Sequence, residues 1–237
     1  MNGLLCYIAN TSRPDIAFAV SQVARFNDCA TAAAITAIVW ITQYLNRTKD
    51  RGVVYGKDRS MTQPVTLADA SHAWEPVKGW STGGHVVMLY GGPVRWKSKS
   101  IKLIVQGTRD SEAMGVCAGV DSALWAREWM RSFGYLNENR PSIVYTDSSS
   151  LVAGLGDGSF NSSRRAIIQA GRMMRQVIKE GDIAAWHIGG KDNVSDILTK
   201  NEVPVTHERL TRMLVGEEKL ELRSAGKFGR ACAEDFL

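Results

Sequence analysis

VTLADASHAW (residues 65–74) and SIVYTDSSSL (142–151) are the stretches on which the reading of this chain turns. Each begins as an apolar, β-branched run of strand type and reaches an acid, Asp69 in the first and Asp147 in the second. Two further acids, Glu112 in GTRDSEAMGV (107–116) and Asp196 in GKDNVSDILTK (190–200), open helix-like segments. Carboxylates delivered from strand ends and helix starts can converge on one point and hold two hard cations. Two Mg²⁺ ions about 4 Å apart clamp the attacking and leaving oxygens of a phosphodiester. The pattern points to a metal-dependent nuclease.

Working outward, GGHVVMLYGG (83–92) reads as a strand bounded by paired glycines. PVRWKS (93–98) and KLIVQG (102–107) read as two more, joined by a short basic turn. Residues 109–133 turn helical, with Ala113, Val116, Val120 and Leu124 on one face. After SIVYT, the DSSSLVAGLG segment (147–156) is a short helix ending on glycine. SRRAIIQAGRMMRQVIKEG (163–181) is a basic amphipathic helix, DIAAWHI (182–188) a strand, and NVSDILTKN (193–201) the start of a last helix. A meander followed by α/β crossover units predicts a mixed sheet with helices on its faces.

Upstream, residues 14–49 predict a helical hairpin, with Pro14 in the first turn and Thr31 as N-cap of the second helix. A strand-like GVVYG (52–56) and a polar linker KDRSMTQP (57–64) follow. Downstream, THERLTRMLV (206–215) predicts a helix, and 216–237 is charged and expected to be loosely ordered. The expected division is 1–61, 62–203 and 204–237.

A 237-residue chain with 44% hydrophobic and 22% charged residues has ordinary globular composition. Its net charge of +5 suits a polyanionic partner without demanding one. Cys6, Cys29, Cys117 and Cys232 are scattered with no C-x-x-C pair, so reduced, buried thiols in an intracellular protein are expected, in cytoplasm or nucleus. No secretory signal is visible, and the most apolar window, AAAITAIVWI (32–41), is too short to span a bilayer; no membrane partner is expected.

The element order, with acids at these places, resembles the ribonuclease H fold, and the local motifs resemble copia-type LTR retrotransposon Pol polyproteins. SRPDIAFAVSQVARF (12–26) and YLNRTKDRGVVYG (44–56) are similar to the stretch after the reverse-transcriptase palm. LADASHAW (67–74) with GWSTGGHV (79–86), PVRWKSK (93–99), TRDSEAMGV (108–116) and VYTDSSSL (144–151) resemble the family's ribonuclease H segments. WHIGGKDNVSDILTK (186–200) resembles its closing segment and is the most specific string. The order is collinear over about residues 3–203. Departures are Ser71 where the family often has a second acid, Asp110 with Glu112 where it has two glutamates, and no Tyr-x-Asp-Asp polymerase motif. The chain therefore reads as a fragment or a domesticated remnant of a longer polyprotein.

The resemblance implies an α/β fold with a ribonuclease H-like mixed five-stranded sheet. It implies cleavage of the RNA strand of RNA–DNA hybrids with two Mg²⁺ ions, Mn²⁺ being the alternative. Asp69 and Asp196 would hold the ion that activates water, and Asp69, Glu112 and Asp147 the ion at the leaving 3′-oxygen. The implied partners are the hybrid itself and a reverse-transcriptase domain packed on the N-terminal helices. Each acid also has a structural reading: Asp69 as a solvated edge acid, Asp147 as an N-cap, Glu112 and Asp196 as favourable charges in a first helical turn. The resemblance also invites a general-acid or proton-shuttle role for His187, against which its place directly after AAW reads as a structural strand-end histidine; His72 reads as uninvolved. Lys97, Lys99 and Lys102, beside Arg95 and Trp96, and Arg164, Arg165, Arg172 and Arg175 read equally as phosphate contacts or as solvated basic faces. The other tryptophans, Trp40, Trp74, Trp80, Trp125, Trp129 and Trp186, are expected in the core. The rival reading is a catalytically silent nucleic-acid-binding or interaction module.

Overall fold

The structure, a computed structural model, describes residues 2–72, 80–103, 107–160, 162–220, 222 and 230–231. The chain opens with three helices, α1 (Asn2–Thr11), α2 (Ala17–Ala24), entered through a 3₁₀ turn at Pro14–Ile16, and α3 (Ala32–Arg47). The Thr31 hydroxyl accepts from the Ala34 amide at 3.1 Å, so the expected cap starts α3. Then come β1 (Val65–Ser71), β2 (Ser81–Leu89), β3 (Gly92–Ile101), α4 (Thr108–Ser132), β4 (Ser142–Thr146), α5 (Ser149–Gly156), α6 (Arg165–Lys179) and β5 (Ile183–His187). A 3₁₀ turn at Val194–Leu198, α7 (Pro204–Leu214) and the two-residue β6 (Arg230–Ala231) follow.

The sheet order is β3-β2-β1-β4-β5-β6. β1 pairs antiparallel with β2, and β2 with β3; β4 pairs parallel with β1, and β5 with β4. This is the ribonuclease H-like mixed five-stranded sheet expected from the sequence, with β6 added at the β5 edge. The strand carrying Asp69 is central and lies beside the strand leading to Asp147.

Period-two alternation sends neighbouring residues of β1 to opposite faces. Leu67, with Val86, Met88 and Tyr145, packs against Leu5, Ile16, Val20 and Ile41 of the N-terminal helices and against Ile197, Leu210 and Leu214. Ala68, with Val144 and Ala185, packs against Val116 and Val120 of α4, Leu151 and Leu155 of α5, and Ile167, Met174 and Ile178 of α6. One face of the sheet is thus covered in part by the first three helices. Removing residues 1–58 uncovers Leu67, Val86 and Met88, and each such side chain contributes roughly 1.5–3 kcal/mol when buried. The truncated protein is expected to aggregate or to melt well below the full chain in a thermal scan; equal solubility and equal Tm would refute this packing.

Several expectations are corrected. α1 has no counterpart in the reading, which began its helices at Pro14. GVVYG is not a strand: the Val54 and Gly56 amides donate to loop carbonyls, Val215 at 2.7 Å and Tyr90 at 2.8 Å. The basic turn expected at 99–101 is absorbed into a continuous β3, because β2 keeps one antiparallel register with it from Val87↔Arg95 to Ser81↔Ile101. The KLIVQG strand is not found at Lys102 and Leu103, and Ile104, Val105 and Gln106 lie outside the described residues. The helix expected from 193 is only a 3₁₀ turn; the next α-helix starts at Pro204, whose fixed φ suits a first turn. Cys29 is exposed and Cys6 and Cys117 only partly buried, while Cys232 lies outside the described residues. Trp40, Trp125 and Trp129 are exposed rather than in the core, and Trp74 lies outside the described residues. In the tail, Leu220 is buried in the first cluster; residues 221, 223–229 and 232–237 lie outside the described set.

Candidate active site

Asp69 stands near the end of β1, opposite Gly84 of β2. Gly84 matters because the 194–198 turn lies directly on it. A Cβ there would come 2.6 Å from Leu198 Cβ and 2.7 Å from Thr199 Cγ2. The close approach lets the Thr199 hydroxyl donate to Asp69 Oδ2 at 2.5 Å and brings Asp196 over the end of β1. Asp147 follows β4 directly, and the parallel pairing of β4 with β1 sets it beside Asp69. The helix after it is capped by Ser148, whose Oγ accepts from the Leu151 amide at 3.3 Å. Asp147 is therefore not consumed as an N-cap.

Asp69, Asp147 and Asp196 each offer a carboxylate oxygen within 4.8 Å of the others. Asp69 and Asp196 are buried and Asp147 is partly so. Glu112, in the first turns of α4, is outside this triad and is held by a hydrogen bond from Ser148 Oγ to its Oε2 at 2.5 Å. Of the two acids near the start of α4, Glu112 is the one whose charge bears on Asp147. His72 Nδ1 lies 2.9 Å from Ser111 Oγ, and His187 ends β5 as a strand-end histidine.

Burial pushes the Asp147 carboxyl up, helped by the charges of Asp69 and Glu112 and opposed by Lys200. Asp196 is pushed up to about 7, first by burial and then by Asp69 and Asp147, although Lys200 pulls the other way. The Lys200 ammonium sits 2.7 Å from Asp196 Oδ2. Asp196 Oδ1 is buried and has no hydrogen-bond partner among the described residues. A buried carboxylate oxygen without a partner, on a residue that stands beside two other acids, fits a cation ligand. The donor set is all oxygen, which suits a hard ion such as Mg²⁺. Ser148, Thr199 and Lys200 were missed in the sequence. Only Lys200 had left a signal there, four residues after Asp196 and so on the same side of a helical turn.

A folded-state pKa raised above its ordinary value of 3.8 means that the native protein holds an extra proton between about pH 4 and 7. Stability is then lost as pH rises through that window. His85, buried and lowered from 6.5 to about 4, works in the opposite direction over most of that window. Asp196→Asn isolates the acid. In EDTA the variant is expected to match wild type near pH 4 and to be more stable by on the order of 1–3 kcal/mol at pH 8 in urea titrations. A pH-independent difference would refute the assignment.

The basic residues fall on separate elements. Lys97, Lys99 and Lys102 are exposed and, with Arg95, line a cavity of about 460 Å³ between β3 and α4. Trp96 points to the other face, its Nε1 donating to the Ala9 carbonyl at 2.7 Å. Arg165 and Arg172 are exposed on α6 at a seven-residue spacing, and Arg164 is the partly buried residue before that helix.

No family model matches the chain. A retrovirus-related Pol polyprotein from transposon RE1 of Arabidopsis thaliana is 27% identical over 198 residues, covering 84% of this chain and 13% of that protein. The Pol polyprotein from transposon TNT 1-94 of Nicotiana tabacum is 26% identical over 214 residues, covering 90% of this chain and 16% of that protein. The chain thus spans well under a fifth of the length of these relatives. Among solved structures, LC11-RNase H1 in complex with an RNA/DNA hybrid aligns at 17% identity and TM-score 0.42, over 58% of this chain and 94% of that one. The homologues of this chain, matched along most of its length, are copia-type, retrovirus-related Pol polyproteins of transposons.

Proposed function

We propose that this chain is the ribonuclease H part of a retrotransposon polyprotein, a metal-dependent endonuclease that cleaves the RNA strand of RNA–DNA hybrids. The observation that carries the reading is the convergence of Asp69, Asp147 and Asp196, with the Asp196 Oδ1 atom left without a partner among the described residues. Asp69, Asp147 and Asp196, with Glu112 beside them, would hold two Mg²⁺ or Mn²⁺ ions. When bound, such ions supply a nucleophilic water at neutral pH and neutralise charge on the leaving oxygen.

The chain's own residues do the rest. Thr199 orients Asp69 and Ser148 orients Glu112, so two acids are set before any substrate arrives. Lys200 balances the charge of Asp196. The basic side chains of β3 and α6 would hold the backbone, and RNA would be told from DNA through its 2′-hydroxyls.

Residues 1–61 are assigned in this reading to the end of a reverse-transcriptase segment and 62–203 to the nuclease. A groove of about 700 Å³ between α2, α3 and the start of α7, lined by Val23, Ala37, Trp40 and Ile41 on one side and Pro204 and His207 on the other, supports a reverse-transcriptase domain as neighbour. Ile35, Val39 and Trp40 are exposed on α3. No helix among the described residues is long and apolar enough to cross a membrane.

The test is cleavage of an end-labelled RNA–DNA hybrid with Mg²⁺, with Mn²⁺ and with EDTA. Cutting of the RNA strand alone, lost in EDTA and leaving 3′-hydroxyl ends, is expected. Binding without cutting at any level of either ion would sink the reading and favour a silent binding module.

A further inference from the structure

α4 carries more than Glu112. Its inner face, with Val116, Val120 and Ala123, is buried against the sheet. Its outer face presents Trp125, Trp129 and Phe133, four residues apart and so nearly in line. Their rings touch in series, with centroids 5.8 Å and 5.5 Å apart. Trp129 is 50% and Phe133 62% exposed. The Arg95 guanidinium stacks on Trp125 at 4.4 Å from the ring centroid and joins the ladder to the basic cavity of β3. Lys97, Lys99 and Lys102 line that cavity, with Asp121 the acid among its described lining residues. Lys99 pairs with Gly83, and Gly83 pairs with Ala70, the residue after Asp69. The basic strand is therefore two strand spacings, about 10 Å, from the strand bearing Asp69.

We propose that β3 and the outer face of α4 form a binding track for a single-stranded nucleic-acid segment running away from the acidic site. Phosphates lie along Lys97, Lys99 and Lys102, and unpaired bases stack on Trp129 and Phe133. A duplex keeps its bases stacked on each other, whereas a single strand offers free π-faces to an aromatic platform. The clustered cations select a polyanion over a neutral or basic protein surface. Continuity with the nuclease site rests on the function proposed above; binding to the track does not, because it needs no metal.

The test uses the full chain in EDTA with a fluorescein-labelled oligothymidylate of about ten nucleotides, followed by anisotropy. Wild type is expected to bind and to bind more weakly as salt rises. Trp129→Ala with Phe133→Ala is expected to weaken binding roughly thirtyfold or more with little change in salt dependence. Lys97→Glu with Lys99→Glu is expected to weaken it and to flatten the slope of log K against log salt by about 1.4. All four positions are exposed, and matched melting curves check that the variants fold. Asp147→Asn is expected to bind the oligonucleotide as wild type does. A chain that binds oligothymidylate but never cuts a hybrid keeps the track and loses the nuclease. No binding at low salt, or full binding by the aromatic variant, would overturn the track. So would a wild-type dimer that the aromatic variant abolishes, since the ladder would then belong to a second copy.

Discussion

Asp147→Asn is expected to abolish Mg²⁺-dependent cleavage of an RNA–DNA hybrid, a loss on the order of 10³-fold or more, while hybrid affinity in EDTA stays near that of wild type. The amide keeps the shape of the carboxylate and removes the charge a hard cation requires. Asp147 lies within 4.8 Å of both Asp69 and Asp196, so its loss takes one of three converging ligand groups. The same substitution should not weaken the metal-free fold. Asp147 is raised by burial and by its acidic neighbours, so its ionised form is disfavoured there, and a neutral side chain relieves that. Cleavage rate, hybrid affinity and Tm, each with Mg²⁺ and with EDTA, test the claim together. A variant that still cuts at the wild-type rate, or a wild type that cuts in EDTA, would remove the two-metal reading.

Gly115→Val is expected to be the most damaging change outside the acids. α4 crosses β1 at Gly115, where a Cβ would sit 2.7 Å from the Asp69 carbonyl oxygen and 2.8 Å from Ala70 Cβ. The first of these is backbone of the central strand, which is paired with β2 at this point and has little room to move. Gly119 repeats the approach one turn later, 2.8 Å from Ala68 Cβ. Any larger residue must lift α4, and Glu112 lies on the preceding turn. The expected cost is about 3 kcal/mol or more in urea titrations, with loss of cleavage. Gly3→Ala in α1 is the control, since a Cβ there meets nothing within 4 Å. It should stabilise by up to about 1 kcal/mol through helix propensity. A Gly115→Val protein of wild-type stability would mean that α4 does not rest on β1 in this way.

These two positions differ in how visible they are in the sequence. Asp147 closes a β-branched run, and the strand-then-acid pattern marked it without any knowledge of the fold. Gly115 and Gly119 look like faults in a helix, each less favourable than alanine by about 1 kcal/mol. Their use appears only when Ala68 and Ala70 of a strand more than forty residues away are placed against them. The tryptophans were misread for a related reason. Periodicity tells which residues share a helix face, and it says nothing about which faces find a partner. Trp125 and Trp129 sit on the face of α4 that the sheet does not cover.

What the sequence determined by itself was local: the strands β1, β4 and β5, the helices α4 and α6, the Thr31 cap, and the placing of Asp69 and Asp147 at strand ends and of Glu112 near a helix start. Such features depend on neighbours within a few residues, where side-chain period and capping chemistry act directly. Tertiary structure decided the rest. It chose Ser148 over Asp147 as a cap, made the 194–198 segment a 3₁₀ turn, and kept the basic residues of β3 inside one continuous strand. It also drew Asp69, Asp147 and Asp196 to within 4.8 Å, with Thr199 on one and Lys200 on another. Those outcomes follow from contacts between residues up to 130 apart, as in the Thr199–Asp69 hydrogen bond, and such contacts exist only once the parallel pairing of β1 with β4 has set the strand ends side by side.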